Sequence, residues 1–305
     1  MNKLVSFWLD AARPKTLPLA FVSIICGSSL AHADGQFSAV TTFLALLTTM
    51  LLQFLSNLAN DYGDAEKGTD NENRLGDIRG MQKGIISRSD MKKAIIANVI
   101  LAIASGLALI FYSLDSLTNI LIFIGLGLLA IVSAIAYTVG GKAYGYVGLG
   151  DVAVLLFYGL LGVGGSYYLQ TGSINLSLLT PALGCGLLAV GVLNINNMRD
   201  IDNDRECGKY TVPVRLGEKN AKYYHQILLW TAFIAFSAYL LTQLSNTWLI
   251  IPFLISALLL RNHGKAILAT DRPAQIAPMM PVMVKCAVIT NILFSLVVVA
   301  QTMVR

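Results

Sequence analysis

Charge is scarce in this chain of 305 residues. Asp, Glu, Lys and Arg make up 13% of it against 55% apolar residues, and the mean hydropathy is +0.66. A soluble protein carries roughly 25% charged residues. The deficit therefore excludes an ordinary soluble enzyme and marks a polytopic membrane protein, for which length gives no count of soluble domains. Four cysteines and three histidines are too scattered for a transition-metal centre. Cys26, Cys185, Cys207 and Cys286 show no ligand spacing, and three of them lie in apolar runs, where Cys behaves as a small hydrophobe. His32, His225 and His263 are equally isolated. No cleavable leader is legible: residues 1–15 are short and amphipathic, and Arg13 and Lys15 follow the apolar part instead of preceding it. The expected surroundings are a lipid bilayer, with no nucleic-acid partner.

What the chain does have is apolar length. Runs long enough to span a bilayer fall at residues 16–33, 38–60, 91–113, 117–137, 147–169, 176–197, 222–242, 246–260 and 283–303. The eighth is short and contains Pro252. With the N-terminus inside, 21 of the 22 Lys and Arg residues fall in the inner segments or their flanks, and only Arg305 does not. The outer loops near 34–37, 114–116, 170–175 and 243–245 hold none. That asymmetry predicts an N-in, C-out topology. The expected fold is an all-α bundle of about nine transmembrane helices, one domain over 1–305, in a bacterial cytoplasmic membrane. Its inner loops are expected to cap a site facing the cytoplasm.

Two polar interruptions carry the chemistry. One is Asn57, Asn60, Asp61 and Asp64, closing the second run; the other is Asn196, Asn197, Asp200 and Asp204, closing the sixth. On a helix each set falls within about a 100° sector, so each presents two carboxylates and two amides on one face. Ionisable groups at the mouth of a membrane helix are costly and usually functional. Acids at a helix C-terminus also oppose the helix dipole, which bound cations would offset. Carboxylate and amide oxygens suit magnesium, which prefers to share its shell with water and substrate phosphate. Asp61, Asp64, Asp200 and Asp204 are the expected ligands. Arg74, Arg79 and Lys83 follow the first cluster, and Arg199, Arg205 and Lys209 accompany the second. Cations beside metal-bearing acids form a clamp for a departing diphosphate. Gly68, Gly76, Gly80 and Gly84 would let the first loop fold closely over it. Glu66 and Glu206 read as solvated loop charges, and Asp70 and Asp202 as less certain members.

At these residues the chain resembles the UbiA superfamily of intramembrane prenyltransferases. The second motif matches as Asn196-xxx-Asp200-xxx-Asp204, the first as Asn60-Asp61-xx-Asp64. The first then departs, because the third Asp of the pattern falls on Gly68 and the next acid is Asp70. Further stretches resemble the branch that prenylates 1,4-dihydroxy-2-naphthoate: residues 12–18, 57–70, 79–84, 137–145, 148–151 and 196–217. Asp77 stands where that branch leads one to expect proline. The resemblance implies nine helices, Mg2+ as cofactor, and a polyprenyl diphosphate and 1,4-dihydroxy-2-naphthoate as substrates. The reaction implied gives demethylmenaquinol, CO2 and diphosphate. A sibling activity on another aromatic acceptor, such as 4-hydroxybenzoate, is the alternative.

The glycine-rich loop 137–151 is expected to act as a lid, with Lys142 catalytic and Tyr144 on the acceptor or diphosphate. A tight turn with interfacial tyrosines is the plainer reading. Asp151 opens the fifth run, where an acid complements the helix dipole or orients the acceptor. Arg13 and Lys15 are candidates for an acceptor carboxylate as well as inner-face anchors. Tyr62, Phe157 and Tyr158 are candidates to stabilise a carbocation through their ring faces. Two other classes fit less well. A transporter would place its acids near the bilayer midplane. A CDP-alcohol phosphotransferase needs Gly after the second Asp, where this chain has Ala65.

Overall fold

The structure, a computed structural model, describes residues 3–76 and 78–304. Asp77, Arg305 and the side chains of Lys3, Leu4 and Val5 lie outside what is described. The chain forms α1 (Lys3–Ala12), then a 3-10 turn over Pro14–Thr16 that leads into α2 (Leu17–Ala33). Next come α3 (Ala39–Glu66), α4 (Arg88–Ser113), α5 (Leu117–Ala136) and α6 (Gly150–Thr171). α7 (Leu179–Arg199) is followed by two short helices, α8 (Ile201–Glu206) and α9 (Val212–Leu216). The last three are α10 (Glu218–Gln243), α11 (Ile255–Leu268) and α12 (Met279–Val304). Among the described residues, nine helices are long and apolar enough to cross a membrane.

Local sequence sets these boundaries. Ser38 and Ser87 cap α3 and α4 by accepting from the backbone N–H of Thr41 at 3.2 Å and of Asp90 at 3.1 Å. Gly172, at φ 67°, ends α6 in the left-handed conformation that glycine adopts without strain. Pro252 does not break the eighth span. It falls in a 3-10 stretch, Thr247–Leu254, that leads directly into α11. α3 runs on to Glu66, past the expected end of the second run at residue 60, and keeps the first acidic cluster helical, as its shared face requires. Two further features were not expected. The middle of α6, Leu155–Gly165, is π-helical. α7 stops at Asp200, and α8 restarts from the same residue.

α7 is the central post. Leu188, Ile195 and Met198 on it are fully buried, and it packs against α10, α6, α12 and α2. In lipid, helices associate by close packing more than by burial from water. Gly159 shows why small residues are needed here. A Cβ added to it would come within 2.5 Å of the Ala182 carbonyl oxygen. A tight aromatic group, Phe236, Phe253 and Phe294, joins α10, the 3-10 stretch before α11, and α12. α5 is the opposite case: only Ala130 on it is buried, and it packs against α3 and α4.

Candidate active site

α3 carries Asn57, Asn60, Asp61 and Asp64 to its C-terminal end, and α7 carries Asn196 up to the break at Asp200. That break is held by side chains. Arg199 donates to Asp200 from Nε at 3.0 Å and from Nη2 at 2.5 Å, and also to Asn196 Oδ1 at 2.9 Å. The Leu75 backbone N–H donates to Asp200 Oδ1 at 3.2 Å, tying the loop after α3 to the end of α7.

Cations join the two acidic segments. Lys209 Nζ lies 3.9 Å from Asp64 and 3.7 Å from Asp204. Arg74 Nε lies 3.3 Å from Asp70 and 3.5 Å from Asp200. Arg79 reaches Asp61 at 3.1 Å and Asp70 at 4.0 Å, and Arg13 donates to Asp61 as well. Asp61 is 1% exposed and Asp204 2%. Charges buried this deeply persist only when paired.

Three loops interlock at this end of the bundle. Asn203 donates to the Thr69 carbonyl at 2.9 Å, and the Tyr210 N–H to the Tyr146 carbonyl at 2.9 Å. Tyr146 donates its single hydroxyl proton to Asp64 at 2.8 Å, so Thr69 is the donor in its 2.6 Å bond to the Tyr146 oxygen. The ammonium of Lys67 sits 4.0 Å from the centre of the Tyr146 ring.

Burial and pairing set the protonation of these groups. Burial pushes Asp204 up to about 6 against the pull of Lys209. Burial also raises Asp70, even with Arg74 beside it. At Asp200 burial acts in the same direction, but the hydrogen bond and charge of Arg199, with Arg74 and Lys209, hold it below the ordinary carboxylate range. Burial brings Arg79 down to about 10. Burial would lower Lys209 too, yet Asp64 and Asp204 outweigh it and raise that ammonium well above its usual value.

These groups form the polar end of a cavity of about 380 Å³. Arg13, Asp64, Arg74, Arg79, Asp200 and Lys209 line that end, with Asn57, Asn60 and Asn196 beside them. Tyr137, Tyr144, Phe157 and Tyr158 follow, and Leu109, Ile110, Phe123 and Leu169 close the far end. One cavity thus runs from a charged mouth to an aliphatic floor.

The donor set suits a hard cation. Asp64 and Asp200 line the cavity, and both carboxylate oxygens of Asp70, which shares Arg74 with Asp200, are buried without a hydrogen-bond partner. Among the described residues, no three His, Cys, Asp or Glu side chains converge closely enough to hold an ion by themselves. The arrangement therefore fits magnesium that completes its shell with diphosphate and water, and does not fit an all-protein cage.

The structure brings most of the expected residues together and leaves a few apart. Asp61 and Asp204 stand behind the cavity wall, each locked to a cation, as does Arg199. Asn197 is buried in the bundle and does not line the cavity, because it faces about 100° away from Asn196 around α7. Lys83 is exposed, with its ammonium 5.3 Å from the Phe7 ring centre. Lys142 is exposed and outside the lining, whereas Tyr144 lines it and donates to the Ser133 carbonyl at 2.9 Å. Arg205 pairs at the surface with Asp202. Tyr62 bonds to Glu66 and lies off the cavity, and Asp151 accepts from Tyr224 at 2.8 Å. Asp70 and Tyr146 are the gains. Asp70 carries no signal beyond its being the next acid after Asp64. Tyr146 differs from Tyr144 only by its place in a Tyr-Gly-Tyr stretch.

A membrane helix bundle with paired acidic helix ends over an apolar cavity defines an intramembrane prenyltransferase, and the chain belongs to the UbiA prenyltransferase family, whose model matches residues 20–289. It is 49% identical over 289 residues to the 1,4-dihydroxy-2-naphthoate octaprenyltransferase of Escherichia coli (strain K12), covering 95% of this chain and 94% of that protein. The Haemophilus influenzae protein of the same name is 47% identical over 298 residues, covering 97% and 96%. In fold, the chain is similar to a UbiA homolog from Archaeoglobus fulgidus bound to DMAPP and Mg2+. The TM-score is 0.62 at 14% identity, covering 96% of this chain and 99% of that one.

Proposed function

We propose that the chain transfers a polyprenyl group from polyprenyl diphosphate to 1,4-dihydroxy-2-naphthoate, giving demethylmenaquinol, CO2 and diphosphate. The observation that carries this reading is the single cavity joining a cationic mouth to an aliphatic floor. The acceptor follows from the names of the relatives that match almost end to end.

Arg74, Arg79 and Lys209 bind the diphosphate oxygens, and the four aspartates with Asp70 hold the charge balance. Asp64 and Asp200, with Asp70 beside them and Asp61 and Asp204 behind, would hold magnesium, which when bound would supply positive charge against the departing diphosphate. The allylic C–O bond breaks and its electron pair leaves with the diphosphate. Tyr137 and Phe157 line the cavity, where aromatic rings stabilise a cationic carbon. The apolar walls keep water from quenching it. A carbon of the electron-rich naphthoate ring attacks, and loss of the carboxylate as CO2 returns an electron pair that restores aromaticity.

The 305 residues act as one domain, with the N-terminus and the interlocked loops on the cytoplasmic face, where those loops cap the polar mouth. The distribution of Lys and Arg supports that orientation. Incubating purified protein with a polyprenyl diphosphate, Mg2+ and a panel of aromatic acids, followed by mass analysis, tests the reaction. A prenylated, decarboxylated naphthoquinol is expected. A product from 4-hydroxybenzoate alone, or turnover that persists under chelator, would overturn it.

A further inference from the structure

Deep in the cavity, where aliphatic side chains predominate, two polar residues face each other from different helices. Tyr158 on α6 donates its hydroxyl proton to Oε1 of Gln53 on α3, and both line the cavity. Gln53 passes the contact on: its Nε2 donates to Asn57 Oδ1 at 3.2 Å, and Asn57 donates to the Ala12 carbonyl at 2.8 Å. Arg13, the partner of Asp61, follows directly. The relay thus runs from the cavity interior to the charged mouth.

Polar groups in such a place are expensive unless they are used. The donor and acceptor count shows what remains for a ligand. Gln53 has one N–H uncommitted by these bonds, and the Tyr158 oxygen, having donated its proton, still has lone pairs to accept. One donor beside one acceptor matches one chemical group well, a hydroxyl on an aromatic ring. The backbone aims the pair on purpose. Tyr158 lies within the π-helical stretch of α6, and such stretches re-aim side chains and recur at functional sites. Position agrees as well. Gln53 is eight residues before Asp61, about 12 Å along the helix. With the carboxylate toward Arg13, the second hydroxyl of 1,4-dihydroxy-2-naphthoate, meta to it on the same ring, is free to turn toward Gln53 and Tyr158.

We propose that Gln53 and Tyr158 read the ring hydroxyl of the aromatic acceptor and so select a dihydroxylated acid over its monohydroxy analogue. This rests on the acceptor class proposed above. Tyr158 bonds to no residue of the diphosphate end, and Gln53 reaches it only through Asn57.

The test is anaerobic equilibrium binding of 1,4-dihydroxy-2-naphthoate and 1-hydroxy-2-naphthoate to the purified full-length protein, with the KM for octaprenyl diphosphate measured alongside. Wild type is expected to prefer the dihydroxy acid. Tyr158→Phe and, separately, Gln53→Leu should weaken binding of the dihydroxy acid by about tenfold and leave the monohydroxy acid unchanged; Tyr158→Phe, which keeps the Gln53–Asn57 bond, should also leave the donor KM unchanged. Equal weakening of both acids, or a raised donor KM in Tyr158→Phe, means the pair only knits α3 to α6 and overturns the inference. So does a preference that survives in both variants. Wild type that cleaves the donor but binds neither acid would sink the acceptor assignment, and this inference with it.

Discussion

Arg13 pairs with Asp61 from a backbone held at φ 50°, and it is the only non-glycine among the described residues with a positive φ. The residue sits just before Pro14, at the turn between α1 and α2. A left-handed arginine costs about 1–2 kcal/mol, and such strain persists where surrounding contacts over-determine it. Here the contact is a buried carboxylate that also takes Arg79.

That relationship predicts opposite effects on stability and activity. Arg13→Gly relieves the backbone strain and removes the guanidinium. Transfer activity is expected to fall by at least about tenfold while the unfolding temperature in detergent falls little or rises, because roughly 1–2 kcal/mol of strain is released. Asp61→Asn should reduce transfer further, with helix content unchanged by circular dichroism. Near-normal turnover in Asp61→Asn would remove the charged mouth from the mechanism.

Lys209 is the link between Asp64 and Asp204. Lys209→Met leaves the buried Asp204 without its cation, at about 3–5 kcal/mol for a broken buried pair, while the half-buried Asp64 keeps its bond from Tyr146. The variant should melt well below wild type in chelator and recover in Mg2+ by a larger margin than wild type does. Equal Mg2+ stabilisation of the two proteins would show that the metal does not take up the charge that Lys209 balances.

Gly63 lies between Tyr62 and Asp64 against the turn after α5. A Cβ there would meet the Thr138 backbone carbonyl carbon at 2.7 Å and its hydroxyl at 2.6 Å. Gly63→Ala must therefore push α3 from that turn, at about 1–3 kcal/mol for overpacking. Loss of transfer together with a lowered unfolding temperature is expected. A variant that is stable and fully active would mean that the turn yields without moving Asp64.

Lys142 stands exposed outside the cavity lining. Lys142→Ala is expected to retain most of the transfer activity, within about fivefold, as surface substitutions generally do. A loss of a hundredfold with unchanged stability would show that loop 137–149 swings its lysine into the mouth during turnover.

The membrane fold was legible because hydropathy and the segregation of Lys and Arg are properties of the chain itself. All nine expected spans have helical counterparts, and Asp61, Asp64, Asp200 and Asp204 do gather at one end. Composition does not say which cation answers which acid. Arg74 and Lys209 bridge the two segments, whereas Lys83, on the same loop as Arg74, and Lys142 are exposed. Asp70 was uncertain in the sequence because its place depends on how loop 67–87 folds back onto α7 and α8. The π stretch of α6 leaves no mark in the composition of Leu155–Gly165, so the aim of Tyr158 was not readable beforehand.

α5 forms one wall of the cavity through Phe123, Leu126 and Ala130, while Leu121, Leu128 and Val132 on its other side are exposed. The substrate's hydrocarbon is thus separated from the surrounding lipid by the thickness of a single helix. The bilayer is in effect an outer layer of the binding site, and a change in its acyl-chain length is expected to be felt in that wall.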